Sequence, residues 1–289
     1  MDVVEKLIEL YDASCTRARE AVSAGNRDDY AAVRYPQLVV DVTQWAPIDR
    51  TEPFCYVESA GRYASALSRP RLIAGYLREM VARLQKNYSC EVRAEYSDIV
   101  IPPAYIDGLE GAELTGFPAP TLDDVDDGII DGKWEEFHGE EKPLFHFTPQ
   151  RFDIACKRIE HYTGIGCEGV QTFILFTNYD MHTSEFEKWA RAELERPGTR
   201  YVKLNTPVGK HQFPRYDLIT EKGDGITMIN IGVGPSNAKT ITDCLAVLRP
   251  EVWVMIGHCA GLDGRMRIGD LILGNAYQRK DYILSLIHI

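Results

Sequence analysis

The stretch from Asn230 to Lys239, NIGVGPSNAK, combines small residues with a predicted helix start. A predicted strand ends at Gly232, and Gly234 permits a tight turn and a close approach of the backbone to a ligand. Ser236 is expected to cap the helix that follows. Because the first-turn amides of a helix have no partners within it, they can bind an anion such as a phosphate. From this segment alone, an anion site and a plain strand–turn–helix connection stay equally open.

A dinucleotide-binding fold is one alternative for this motif. Its fingerprint, G-x-G-x-x-G, requires a third glycine where this chain has Asn237. It also requires an acidic residue at the end of the next strand, which here ends in Ile256, Gly257 and His258. The fingerprint is incomplete, so the motif does not predict a dinucleotide cofactor.

A second cluster, GHCAGL, follows the next predicted strand at residues 257–262. A right-handed crossover makes the two strands parallel, so both motifs are expected on the side of the sheet where clefts form. Small neighbours leave room for a ligand at His258 and Cys259, although a buried core pair remains the alternative. A Cys–His nucleophile pair is not favoured, because adjacent residues on a strand point to opposite faces.

Other charged groups predict no further chemistry. The acids from Asp123 to Asp131 do not fit a calcium loop and are interpreted as a solvated loop. The histidines lack metal-ligand spacing, so no metal and no cofactor is predicted. Arg69 and Arg71 flank a predicted helix start, where cations oppose the helix dipole. They are interpreted as solvent-exposed side chains, with an anion site as the alternative.

Apolar spacing predicts the elements that position these residues. In the front half it predicts an α+β domain with helices at 3–22, 70–86 and 152–162 and short strands at 99–103 and 144–148. Ser68 is expected to cap the second of these helices.

After residue 168 strands and helices alternate, which predicts an α/β domain with parallel strand pairing. The expected strands are 173–176, 225–231, 252–256 and 270–273, the first and third of them buried. The expected helices are 184–194, with Phe186 and Trp189 inward, and 237–248. The predicted domains are 1–167 and 168–289.

Composition excludes several classes of protein. The chain has 289 residues and a net charge of −11, with 32 basic and 43 acidic residues, which argues against a nucleic-acid partner. Seven scattered cysteines without a C-x-x-C pair favour a reducing, cytoplasmic location. No apolar run reaches the length of a membrane span, so no membrane association is predicted.

Several ordered segments resemble the bacterial AMP nucleosidase family, within the purine nucleoside phosphorylase and nucleosidase superfamily. They are SRPRLIAGYL (68–77), IPPAYIDG (101–108), HYTG (161–164), FILFTNY (173–179), KHQFP (210–214), NIGVGPSNAKTI (230–241), LAVLRPEVWVMIGHCAGL (245–262) and IGDLILGNAYQRKDYIL (268–284). The resemblance spans nearly the whole chain. It implies hydrolysis of AMP to adenine and ribose 5-phosphate, a homohexamer, and an N-terminal domain that mediates regulation by ATP and phosphate. It also implies that the second domain is an incomplete phosphorylase-type α/β catalytic domain with a central mixed sheet.

The resemblance also implies which residues bind the substrate. The ribose-phosphate side should be lined by Gly232, Gly234, Pro235, Ser236 and Asn237. The glycosidic bond should lie near His258, Cys259 and Gly261. The loop with Asn178 and Tyr179 should contribute to the anion site, and Lys210, His211 and Gln212 should supply a basic contact to the 5′-phosphate.

Two departures from the family pattern matter. Ala260 stands where the family has glycine, which narrows the pocket by one methyl group. The general-acid aspartate and the ribose-binding glutamate are expected beyond Ile289, so the chain is interpreted as C-terminally truncated, with slow turnover or none. Two alternatives stay open: a nucleotide-sensing module without turnover, and a phosphorylase that uses phosphate in place of water.

Overall fold

The computed structural model describes residues 2–48, 55–109, 111–125 and 141–274. The fold is mixed α/β, as predicted, with two separate sheets. One compact unit extends to Ile256 and a second begins at Gly257. Most of the acidic stretch and the segment 275–289 lie outside the described residues.

The first sheet is antiparallel, with strand order β2-β1-β3. Its strands are β1 (Arg34–Gln44), β2 (Gly61–Ala66) and β3 (Ser89–Val100). On the central strand, Val40 pairs with Tyr63 on one side and Val92 on the other. The predicted strand 99–103 is therefore only the end of β3, because a 3-10 turn begins at Pro103.

Helices with clear apolar periodicity lie where the sequence predicts them. They are α1 (Val3–Ser23), α3 (Ala74–Asn87, after a 3-10 turn at Pro70–Ile73) and α4 (Pro149–Thr163). The short α2 (Arg27–Tyr30) lies outside the predicted elements. Thr148 caps α4 by accepting from the amide of Arg151 at 3.2 Å, and Gly164 ends it with φ 73°. The strand expected at 144–148 is wrong, since this segment forms bends that lead into α4.

The second sheet is mixed, with strand order β5-β6-β7-β4-β8. Its strands are β4 (Phe173–Thr177), β5 (Tyr201–Asn205), β6 (Arg215–Thr220), β7 (Ile226–Asn230) and β8 (Val252–Met255). β7, β4 and β8 run parallel, whereas β5 and β6 pair in antiparallel fashion. A fully buried ion pair between Arg215 and Asp217, 3.0 Å apart, holds the start of β6.

Two helices connect the parallel strands, α5 (Asp180–Glu195) and α6 (Pro235–Leu245). Phe186 on α5 is buried as predicted, but Trp189 is 45% exposed and stacks between Phe186 and Tyr201 at the surface. β8 forms where predicted, yet it is exposed rather than buried, because it is an edge strand of this sheet. Residues 270–273 form no strand.

An ionic cluster surrounds the buried guanidinium of Arg69 and is called the Arg69 cluster, with Asp107, Asp153 and Glu168 as its other members. Asp153 is fully buried, whereas Asp107 and Glu168 are more than half exposed. The guanidinium bonds Asp107 at 2.7 Å and both Asp153 and Glu168 at 3.2 Å. The expectation that Arg69 is solvent-exposed is wrong, since only 8% of the residue is exposed; Arg71 is exposed as predicted. Ser68 does not cap a helix, because its hydroxyl donates to Asp153 at 2.5 Å.

Protonation in the Arg69 cluster follows burial and charge. Complete burial raises the pKa of Asp153 to about 6, although Arg69 and the hydroxyls of Ser68 and Tyr35 oppose this rise. Burial also raises the pKa of Asp107, but hydrogen bonds from Arg69 and Lys157 outweigh that effect and lower it to about 2. The two carboxylates therefore differ in charge between pH 2 and 6.

One hydrophobic core includes residues from both predicted domains. Leu77 and Phe152 belong to the same buried cluster as Ile174 and Ile241. The predicted boundary near Cys167 separates the two sheets and stays a prediction. No helix among the described residues is long and apolar enough to cross a membrane.

Candidate active site

The candidate site lies where the parallel strands β4 and β7 end. Thr177 and Asn230, their last residues, are paired in register, so the loops that follow start side by side. The amide of Ile231 donates to the carbonyl of Thr177 at 2.8 Å and continues the pairing by one residue. Ligand clefts of parallel sheets occur at such carboxyl ends.

Asn230 joins the two loops through its side chain. Its Nδ2 donates to Asp180 Oδ1 at 2.7 Å, at the first residue of α5. Its Oδ1 accepts from the amide of Gly232 at 3.0 Å, in the turn after β7. Because Asn230 is only 7% exposed, these bonds are shielded from water. Asn230 thus fixes both loops, a role that sequence reasoning missed.

The turn between β7 and α6 depends on two glycines. Gly232 has φ 62° and Gly234 has φ 114°, both in the region where a side chain is strained. Pro235 then starts the helix at a position where proline is favoured. This geometry confirms the prediction that Gly234 permits a tight turn.

The N-terminus of α6 is open. Ser236 does not cap it, since the helix begins one residue earlier and Ser236 lies inside the first turn, exposed to solvent. No side chain of the described residues caps this helix, and Asn237 instead donates to the carbonyl of Val233 at 3.3 Å. The first-turn amides are therefore available to an anion, and the helix dipole favours negative charge there.

The loop after β4 carries an unpartnered oxygen. Asn178 Oδ1 is buried and has no hydrogen-bond partner among the residues that the structure describes. A buried acceptor without a donor is costly, by about 1–3 kcal/mol. A ligand hydroxyl or amine that donated to this oxygen would remove the cost.

The same loop is held by a histidine that the sequence analysis considered only as a metal ligand. His182 Nδ1 lies 2.7 Å from Thr177 Oγ1, which also accepts from the amide of Tyr179 at 3.2 Å. The rings of Tyr179 and His182 meet edge to face at 5.3 Å. Tyr179 is 38% exposed and so can contact a ligand.

The segment before β6 reaches the same edge of the sheet. Since β6 is antiparallel to β7, Pro214 lies beside Asn230 and accepts from its amide at 3.0 Å. Lys210 is exposed, whereas the ring of His211 lies against Gly164 and its Nε2 contacts the carbonyl of Val208 at 2.6 Å. Lys210 is thus the more accessible cation of this segment.

The second motif belongs to the unit that begins at Gly257. His258, Cys259 and Gly261 are exposed and lie in irregular backbone, and Gly261 packs against Met266. Their expected place beside the first motif stays a prediction. Within the described residues no group of three or more His, Cys, Asp or Glu side chains could hold a metal ion.

Comparison with known proteins finds similarity over nearly the whole chain. Residues 2–141 match the family model described as Bacterial AMP nucleoside phosphorylase N-terminus. The chain is 36% identical to the AMP nucleosidases of Escherichia coli strain K12 and of Escherichia coli O157:H7, over 98% of its own length. It spans 66% of the length of these relatives.

A crystal structure titled AMP nucleosidase from Bacteroides thetaiotaomicron VPI-5482 aligns with a TM-score of 0.31 and 23% identity. That alignment covers 39% of this chain and 41% of the other. The identity to the Escherichia coli proteins, together with the family model, is sufficient to place the sequence. The chain belongs to the AMP nucleosidase family.

Proposed function

We propose that the carboxyl ends of β4 and β7 bind the ribose 5-phosphate part of AMP, for hydrolysis of its N-glycosidic bond to adenine and ribose 5-phosphate. The observations that carry this proposal are the open N-terminus of α6, which follows β7, and the unpartnered oxygen of Asn178, which follows the paired strand β4. Membership of the family supports AMP as the substrate.

The phosphate is assigned to α6. The amides of Ser236 and Asn237 donate to it, and Gly232 and Gly234 let it approach because they carry no side chain. Lys210 adds a positive charge from the neighbouring segment. The site therefore attracts a dianion through fixed dipoles and one mobile cation.

The ribose is assigned to the loop after β4. Asn178 Oδ1 is an acceptor, so it suits a sugar hydroxyl better than a phosphate oxygen. Tyr179 offers an exposed ring beside it. With the phosphate held at α6, these contacts orient the sugar.

Cleavage of the glycosidic bond passes through a ribosyl group with cationic character, and the leaving adenine must gain a proton. The carboxyl ends of β4 and β7, with the loops that follow them, are called the β4–β7 edge. Its residues contribute binding and orientation of the substrate, and these supply much of the rate enhancement of such a reaction. His258 and Cys259 are assigned to the neighbourhood of the glycosidic bond. Regulation by ATP and phosphate, a hexamer and a cytoplasmic location are further proposals that rest on the family alone.

Two measurements on the purified chain test the proposal. Titration calorimetry should give saturable binding of ribose 5-phosphate that competes with AMP; absence of binding would contradict the site. Chromatography of a prolonged AMP incubation should then give adenine and ribose 5-phosphate in equal amounts, even where turnover is slow. Ribose 1,5-bisphosphate formed only with added phosphate would indicate a phosphorylase, and binding without adenine release would indicate a sensing module.

A further inference from the structure

Arg249 lies in a cage of three aromatic rings. Its guanidinium carbon is 5.0 Å from the centre of the Tyr76 ring, 5.6 Å from that of Phe147 and 6.0 Å from that of Phe145. Tyr76 belongs to α3, and the two phenylalanines belong to the segment before α4. Cations are attracted to the faces of such rings, more strongly where water is partly excluded.

The backbone of Arg249 is in the left-handed region, with φ 54° and ψ 51°. Glycine is the usual residue at such a helix end, because a side chain is strained there. An arginine at this position therefore points to a role for the side chain that outweighs the strain.

Arg249 lies between α6, which begins at the candidate site, and the residues that pair with the start of β4. A 3-10 turn, Ala246–Leu248, continues α6 directly to Arg249. Two residues later the amide of Glu251 donates to the carbonyl of Thr172 at 2.9 Å, next to the start of β4. The cage therefore attaches the far end of α6 to elements of the front half.

α6 is held mainly at that far end. Its buried residues, Ile241, Cys244 and Leu245, lie in the second half of the helix, whereas Pro235 and Ser236 at its start are exposed. A helix of this length is about 16 Å long. A small tilt at the buried end is therefore enlarged at the amides that face the sheet edge.

We propose that Arg249 is a positioning residue that sets the orientation of α6 and so the affinity of its N-terminal amides for the sugar phosphate. This inference rests on the proposed function, but Arg249 itself touches no ligand. Loss of the cation should weaken binding without removing any group of the site.

The test uses Arg249→Gly, which removes the cation and also relieves the left-handed strain. Arg200→Gly is the matched control, because Arg200 lies over the ring of Tyr201 at 5.2 Å, on the edge strand β5. Calorimetry with ribose 5-phosphate should show about a fivefold to tenfold loss of affinity for Arg249→Gly, partial rescue in Arg249→Lys, and no change for the control. A fivefold to tenfold loss corresponds to about 1.0–1.4 kcal/mol.

Stability separates positioning from a merely structural role. Because lost ring contacts and relieved strain oppose each other, the urea midpoint of Arg249→Gly should stay close to that of the wild type. Hydrogen exchange of α6 amides without ligand should rise in Arg249→Gly and not in the control. Wild-type affinity in Arg249→Gly, or unchanged hydrogen exchange along α6, would overturn this inference but not the proposed function. If the wild type itself fails to bind ribose 5-phosphate, the proposed function fails, and this inference fails with it.

Discussion

The Arg69 cluster and the β4–β7 edge differ in whether their polar groups have hydrogen-bond partners. In the Arg69 cluster a buried guanidinium meets three carboxylates, and Tyr35 and Ser68 donate to Asp153 as well. At the β4–β7 edge the first-turn amides of α6 and the oxygen of Asn178 are left without partners in the described residues. Satisfied polar groups stabilise a fold, whereas unsatisfied groups at an open edge are available to a ligand. The comparison predicts that substitutions in the two regions affect different measurements.

Arg69→Met should have the largest effect. It removes the cation that faces the fully buried Asp153, and breaking a buried pair in this way costs about 3–5 kcal/mol. Urea unfolding should show this loss, while the folded fraction keeps its affinity for ribose 5-phosphate. Arg71→Met, at an exposed pair with Asp12, is the control and should cost less than about 1 kcal/mol. Equal losses in the two variants would contradict the comparison.

Asp153→Asn should change how stability depends on pH. The pKa of Asp153, about 6, is above the ordinary value of 3.8, so its protonation favours the folded state. That contribution is complete below pH 3.8 and is lost as the pH rises through 6. As the pH falls from 6 to 4, the free energy of unfolding of the wild type should therefore rise by up to about 3 kcal/mol relative to that of Asp153→Asn.

Urea midpoints across this pH range give the measurement. Asp12→Asn, which removes an exposed carboxylate, is the control variant. A constant difference between the wild type and Asp153→Asn would show that Asp153 has no raised pKa.

Ser236→Asp tests the other region. A carboxylate in the first turn of α6 interacts well with the helix dipole, so stability should stay or rise by about 0.3–1 kcal/mol. The same charge repels the phosphate, and ribose 5-phosphate should bind about tenfold more weakly, which is about 1.4 kcal/mol. Ser236→Ala controls for the hydroxyl. Unchanged calorimetric affinity in Ser236→Asp would place the phosphate elsewhere.

Lys210→Met should have the smallest effect. Exposed charge pairs contribute about 0.2–1 kcal/mol, so the affinity should fall less than about fivefold and should depend less on salt. Lys222→Met is the control, because Lys222 lies in the turn between β6 and β7, at the opposite end of the sheet. A similar loss in both variants would show only a general effect of charge.

The spacing of apolar residues and glycines along the chain predicted those elements that depend mainly on residues close in sequence. The helices α1 and α4 and the strand β4 lie where apolar spacing placed them, and the β7–α6 turn contains the expected glycines. The pattern could not show that β8 is an edge strand, since burial of a strand depends on its neighbours in the sheet. The prediction that Trp189 points inward is wrong, because the spacing of apolar residues on a helix cannot show how far the core extends around it.

Residues that depend on distant contacts were missed. Arg69 was interpreted as exposed because its partners Asp107, Asp153 and Glu168 are 38, 84 and 99 positions away. Asn230 was part of a recognised motif, but its link to Asp180, 50 positions earlier, follows only from the parallel pairing of β4 and β7. The site loops were therefore predictable one by one, and their connection was not.

Asn230 has a consequence for redesign of the site. Because one amide group bonds both to the start of α5 and to the turn before α6, the two loops behave as a single module. A library that varies either loop for a new sugar or phosphate would have to retain residue 230 together with its two partners. Transplanting both loops jointly, with the asparagine between them, should preserve a recognition surface that separate grafts would lose.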